Sequence, residues 1–203
     1  MRLELDHIIV SVADLDSASE TFRERFGVRA VGGGRHRGHG TENRIIPLGA
    51  NYIELLAVTD EEEAASSPFG QWAARQDHGA DAKAVCLRTD DLDGVCARLG
   101  LEPASMSRSA PDGRLLEWKV AGLEEALPRV MPFFIQWDIT SELHPGRTQG
   151  SHPAGEARMT SVAILGDHVA ELIDWAPEPV GLSYMRAPYR EITYHLAATP
   201  KAL

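Results

Sequence analysis

Cysteine is nearly absent from this chain of 203 residues: only Cys86 and Cys96 occur. They form no CxxC pair and no zinc-finger spacing, which excludes a disulfide scaffold and a finger-type zinc site. Both are expected to be buried free thiols in a reducing cytoplasm. No apolar run approaches the roughly 20 residues that a membrane span needs. The opening MRLELDHIIV alternates from its first residues and lacks a basic segment followed by an apolar one, so no signal peptide is read there. Positive charge is also scarce. Twenty Lys and Arg against 30 Asp and Glu leave a net charge of -10, which argues against nucleic-acid binding because a polyanion needs a basic surface.

Several catalytic signatures are missing too. There is no GxGxxG between a strand and a helix, no GxSxG elbow and no HExxH. GGRHRGHG has Gly33 and Gly38 at phosphate-loop spacing. His39 and Gly40 follow where Lys and Ser/Thr are required, and no helix is expected next, so a nucleotide site is excluded. What remains is an ordinary globular composition, 43% hydrophobic and 25% charged, long enough for one large domain or two small fused modules.

A repeat organises the chain. Residues 6–16 read DHIIVSVADLD and residues 83–93 read KAVCLRTDDLD. Each is a strand that runs into an Asp-Leu-Asp turn, with Asp14 and Asp91 as N-caps. SASETFRERFGV predicts a first helix stopped by Gly27, and GVCARLGLEP a second stopped by Gly100. The second copy reaches its glycine about one helical turn sooner, which preserves the buried face. Strand-like segments follow each helix: VRAVGGG, NRIIPLG and NYIELLAV, then EPASMSR, RLLEWKVAG and MPFFIQWDI. Gly-Ala-Asn (49–51) marks a tight hairpin and Pro-Asp-Gly (111–113) a turn.

The halves are therefore two βαβββ modules of an α+β fold, residues 1–59 and 81–156. An acidic linker and helix (60–80) joins them, with Ser67 as N-cap and Pro68 in the first helical position. Its acidic run Asp60–Glu63 reads as a solvated face. A tail, 157–203, carries strand ARMTSVAILG, helix DHVAELIDWA and strand EITYHLAA, an extension of the second module.

DHIIVSVADLDSA followed by GTENR, IPLG, YIELL and PFFIQWD resembles the vicinal oxygen chelate superfamily, and within it the glyoxalase-like domains. The match covers most of residues 3–153. The resemblance implies an incompletely closed, cup-shaped mixed sheet with the active site inside, and a divalent metal held by the first and fourth strands of each module. It also implies a homodimer. In this sequence those positions give His7 and Glu54 in the first module. Alternation groups Leu3, Leu5, His7 and Ile9 on one face, and Tyr52, Glu54 and Leu56 on another. Imidazole plus carboxylate suits zinc, iron, manganese or nickel.

In the second module the alignment sets Ala84 against His7 and Gln136 against Glu54. Alanine cannot coordinate, and two strong ligands are one short of the usual three. His36, His144 and His152 are candidates for the third, and a metal-free cup stays equally open. Further lining candidates are His36, Asn43, Tyr52, Phe134, Gln136, His144 and His152. Asn43 is expected in the cup in phase with Ile45, and Arg44 on the outer surface. The loop around His144 and His152 could be a lid. Two functions follow. One is a metal-dependent lyase or isomerase of glyoxalase type, or a dioxygenase, acting on a small oxygenated substrate with Glu54 also accepting a proton. The other is a metal-free protein that sequesters a small molecule. Neither requires a nucleic-acid or membrane partner.

Overall fold

The computed structural model of the chain describes residues 2–109, 113, 115–148 and 150–199. The first half forms β1 (Glu4–Ser11), α1 (Leu15–Phe26), β2 (Val31–His36), β3 (Thr41–Pro47) and β4 (Tyr52–Val58). Two short helices follow, α2 (Glu61–Ala65) and α3 (Pro68–Ala74). The second half repeats the order as β5 (Ala82–Arg88), α4 (Leu92–Leu99), β6 (Ala104–Ser109), β7 (Leu115–Ala121), the short helix α5 (Leu123–Ala126) and β8 (Phe133–Trp137). The tail adds β9 (Glu156–Gly166), α6 (Val169–Trp175), β10 (Ser183–Arg186) and β11 (Glu191–Thr199). β10 was not expected from sequence: its four residues are too few to show a period.

The helix boundaries follow from the caps. Asp14 accepts from the Ser17 amide and Asp91 from the Gly94 amide. Gly27 and Gly100 end α1 and α4 in the left-handed region at φ 65° and 69°, where a side chain would be strained. α1 has 12 residues and α4 has 8, the difference of about one turn that the repeat required. The linker is more structured than a solvated acidic face. Asp60 caps α2, Ser67 caps α3, and Glu63 accepts from the Gly38 and Gly40 amides while pairing with Arg35. The linker carboxylates thus tie down the Arg-rich turn between β2 and β3. The turn expected at Pro111 and Asp112 lies outside the described residues.

The strands make one open, mixed sheet of 11 strands. β1 pairs in parallel with β4, and β5 with β8, while β1 and β5 run antiparallel and join the modules. The tail strands run in the order β10-β9-β11 and reach β5 through Ile192 and Ala82. β2 and β6 lie against each other where the sheet fails to close. A continuous apolar core fills the layer between sheet and helices, with Phe22, Ile53, Leu87 and Phe134 almost without exposure. Burying each such side chain contributes about 1.5–3 kcal/mol.

One irregularity matters for the site. The β1–β5 register slips by one residue between Leu5 and His7. Strict alternation is broken there, so Leu3 and Leu5 do not share a face with His7 and Ile9 as the sequence pattern suggested. Leu5 packs against Gly181 in the tail segment, and Leu3 and Leu5 exchange backbone hydrogen bonds with Val180. His7 and Ile9 instead line the cup.

Candidate functional site

The cup is a cavity of about 50 Å³ lined from both modules. On the first-module side stand His7 and Ile9 of β1, His36 of β2, Asn43 and Ile45 of β3, and Tyr52 and Glu54 of β4. On the second-module side stand Met106 and Arg108 of β6, Trp118 and Val120 of β7, and Phe133, Ile135 and Trp137 of β8. Every second residue of β6, β7 and β8 faces in, as the strand period demands.

His7 is held from behind. Asp6, in the register slip, turns to the same side and is fully buried. His7 Nδ1 donates to Asp6 Oδ1 at 2.7 Å, His144 Nε2 donates to Asp6 Oδ2 at 2.9 Å, and Trp137 Nε1 donates to the same oxygen at 3.1 Å. Burial works to raise the Asp6 pKa. The hydrogen bonds and charges of His144 and His7 outweigh it and hold the carboxyl well below the usual range. With Nδ1–H committed to this carboxylate, His7 turns its Nε2 toward Glu54 Oε2, 3.5 Å away. Tyr52 stacks on His7 with ring centroids 4.4 Å apart, and Phe133 meets it edge-on at 5.7 Å. Burial, then the charges of Asp6 and Glu54, push the Tyr52 phenol well above its ordinary value, so it stays a donor.

Glu54 is fixed by Asn43, whose Nδ2 donates to Oε1 at 2.8 Å. The glycine run of β2 explains how. A Cβ on Gly33 would lie 2.1 Å from the Asn43 carbonyl oxygen, so only glycine permits this approach. The approach lets the Gly34 amide donate to Asn43 Oδ1 at 2.8 Å. The Asn43 NH2 group is thereby aimed at Glu54 and at His36 Nε2, 3.2 Å away. His36 completes the chain by donating from Nδ1 to Thr41 Oγ1 at 3.0 Å. Burial pushes the His36 pKa below its ordinary value against the pull of Glu54, which keeps the ring neutral at pH 7.

The pair His7–Glu54 fits a divalent ion. Two ligands of one tetrahedral ion, each about 2.1 Å from it, lie about 3.4 Å apart, close to the 3.5 Å found. A carboxylate behind the imidazole, here Asp6, is the usual support of a ligating histidine. His36 Nε2, 3.7 Å from Glu54 Oε1, is the nearest third donor. Among the described residues, Asp6, His7 and Cys86 also bring three ligand atoms within 4.8 Å of one another. That trio is a poorer cage. The Asp6 oxygens are taken by three donors, and burial, then the charges of Asp6 and Glu54, hold the Cys86 thiol protonated.

The remaining sequence candidates fall elsewhere. Phe134 and Gln136 project to the other face of β8, because Phe133, Ile135 and Trp137 take the inward phase. Phe134 is in the core beside Trp175, and Gln136 Oε1 accepts from the Leu92 amide at the start of α4. The counterpart of Glu54 is therefore not Gln136. Ile9 pairs with Glu54, and Cys86, 77 positions on like Ala84 from His7, pairs with Phe133. His144 does not line the cup and acts on His7 through Asp6. His152 lies outside it, accepting from the Arg29 amide and donating to the Pro47 carbonyl. The loop that carries these two histidines is packed rather than lid-like: a Cβ on Gly146 would meet the Asn51 carbonyl at 2.5 Å. Asn43 faces the cup as expected, and Arg44 pairs with Asp16 on the outer surface. Sequence reading missed Asp6 and Arg108. The signals were there: Asp6-His7 puts two polar residues in succession into an apolar strand, and Met106 and Arg108 share a phase.

The sequence model of the glyoxalase-like domain matches residues 5–180. The chain belongs to the glyoxalase-like domain family. Its fold is that of the vicinal oxygen chelate superfamily. The glyoxalase-like chain superposes on a hypothetical protein from Staphylococcus aureus with a TM-score of 0.70 at 18% identity, over 93% of this chain and 88% of that one. It superposes on Streptomyces coelicolor methylmalonyl-CoA epimerase, solved with 2-nitronate-propionyl-CoA, with a TM-score of 0.50 at 20% identity, over 67% and 98%. A hypothetical protein from Bacillus halodurans gives 0.50 at 16%, over 70% and 99%. At these identities the likeness establishes the fold. No curated protein matches the chain, and no helix among the described residues is long and apolar enough to cross a membrane.

Proposed function

We propose that this glyoxalase-like protein is an enzyme of lyase or isomerase type that moves a proton on a carbon next to the carbonyl of a small oxygenated substrate, with Glu54 as the base. The observation that carries the reading is the state of the Glu54 carboxylate. It is buried in a largely apolar cup, one oxygen is fixed by Asn43, and the other faces His7. A carboxylate so placed accepts a proton without reorganising, and the dry wall of the second module strengthens its field. The C–H bond breaks, its electron pair forms a C=C bond as the carbonyl π pair moves onto oxygen, and the proton goes to Glu54, which returns it to carbon as the carbonyl re-forms. Tyr52, kept protonated, supplies a hydrogen-bond donor from the cup wall for that oxygen. A divalent ion would be held by His7 and Glu54 with His36 as third donor, and would supply Lewis-acid polarisation of the substrate oxygen. Zinc, iron, manganese and nickel all suit this donor set. That a protein of similar fold is a methylmalonyl-CoA epimerase, solved with 2-nitronate-propionyl-CoA, agrees in kind with carbon-acid chemistry in this cup.

A metal-free sequestering protein is the second reading. It is favoured by the Asn43 amide, which satisfies both Glu54 Oε1 and His36 Nε2 without an ion. Proton exchange separates the two. Methyl-proton exchange of pyruvate and methyl pyruvate in D2O is followed by NMR, with protein loaded in turn with zinc, iron, manganese and nickel and with chelator-treated protein. The enzyme reading expects catalysed exchange that falls at least about a hundredfold in Glu54→Gln. Binding with no exchange in any of these states leaves the sequestering reading.

A further inference from the structure

We propose that the ligand of the cup is a carboxylate, a small 2-oxo acid, whose carboxyl group is received by Arg108. This rests on the cup being the site, and it names the class of molecule that enters. Arg108 is only 8% exposed, and its Nη1 has no hydrogen-bond partner among the described residues. A guanidinium nitrogen taken out of water without a partner is costly, and such a group in a cavity is suited to an oxyanion. It is the one permanent cation among the residues lining the cup, where it shares the cavity with His7 and Glu54.

Arg108 also lines a neighbouring cleft of about 310 Å³, together with Arg35 of β2 and Arg37 of the turn after it. On a chain of net charge -10, Arg37 and Arg108 place positive charge around one cleft beside the cup, suited to drawing an anion in. Arg35 is already paired with Asp60 and Glu63, whereas Arg37 is exposed. The planar fork of a guanidinium matches a carboxylate bidentately.

Glu54 repels a second carboxylate beside it, so the ligand's charge belongs at the Arg108 end and its acidic carbon at the Glu54 end. A cavity of about 50 Å³ admits only a few heavy atoms between them. A carbonyl next to the carboxylate, with a proton on the carbon beyond, meets both demands.

The test measures binding of pyruvate, 2-oxobutyrate, methyl pyruvate and inorganic phosphate by NMR titration to wild type, Arg108→Leu and Arg108→Lys, with the thermal transition of each recorded. In wild type, pyruvate is expected to bind at least about tenfold tighter than its ester, the worth of a hydrogen bond to a charged group. That preference collapses to about one in Arg108→Leu and is partly kept in Arg108→Lys, which guards against misfolding of the leucine variant. Three results overturn the proposal: acid and ester bind alike, phosphate binds as well as pyruvate, or neither acid binds. The Glu54 reading fails separately. If Arg108 discriminates acid from ester but no exchange occurs, the base assignment falls and the carboxylate site stands. If exchange proceeds on acid and ester alike, the reverse holds.

Discussion

At matching positions of the two modules, the first carries His7, His36, Asn43 and Glu54, and the second carries Ala84, Met106, Val120 and Phe133. The correspondence follows from the strand pairing. Leu56 pairs with Asn43 as Ile135 pairs with Val120, and Thr41 pairs with His36 as Trp118 pairs with Met106. One backbone plan therefore holds a polar half and an apolar half against each other. The polar half can do chemistry because every one of its groups has a partner that fixes it, down to the Gly34 amide behind Asn43. The apolar half gives that chemistry a dry wall and needs no such network. Its only charge in the cup, Arg108, lies outside the four matched positions.

The comparison can be broken first from behind the polar half. Asp6→Asn removes the charge that three donors share and turns one of its two acceptor oxygens into an NH2 donor, so that either His7 or the pair His144 and Trp137 loses its acceptor. Loss of one partner from a buried charged cluster is expected to cost about 3 kcal/mol in urea unfolding. Because the folded pKa of Asp6 is depressed, its contribution is present above the unfolded value of about 3.9 and is lost as pH falls toward the folded one. The variant should therefore show a flatter acid limb than wild type. An unchanged midpoint would mean that Asp6 supports nothing.

A smaller effect tests the other half. Gln136→Ala removes the acceptor of the Leu92 amide and is expected to cost about 1 kcal/mol, leaving pyruvate exchange and binding as they are. Altered exchange in a stable Gln136→Ala protein would put Gln136 back in the cup and restore the symmetry denied above. The smallest effect concerns His36. Its folded pKa lies below the ordinary 6.5, so the unfolded chain binds the extra proton first. Stability then falls as pH drops below about 6.5 and levels off under the folded value. Melting curves across that window should show the slope in wild type and lose it in His36→Gln.

Much of this was legible in the sequence for a simple reason: caps, glycine stops and strand periods are local. Asp14, Asp91, Gly27 and Gly100 placed both helices, and the DLD turns revealed the repeat. His7, Asn43, Tyr52 and Glu54 were found because they sit in regular strands whose phase can be counted. The errors came where the phase breaks. The slip at Asp6 moved Leu3 and Leu5 away from His7, and an alignment three residues out exchanged Phe133 for Gln136. His144 and His152 were indistinguishable in sequence because both precede proline in a polar loop. Only the tertiary structure sends one to Asp6 and the other to the Pro47 carbonyl.

The slip in β1 also has a consequence in time. Leu3 and Leu5 are made long before the segment they clasp, at Val180 and Gly181. His7, two positions beyond Leu5, finds Asn43, Tyr52 and Glu54 in the strands of its own module. The same strand therefore carries an early appointment and a late one, with contacts of very different sequence separation. The polar wall can be assembled once β4 is made, whereas the outward end of β1 stays uncovered until Val180 and Gly181 follow.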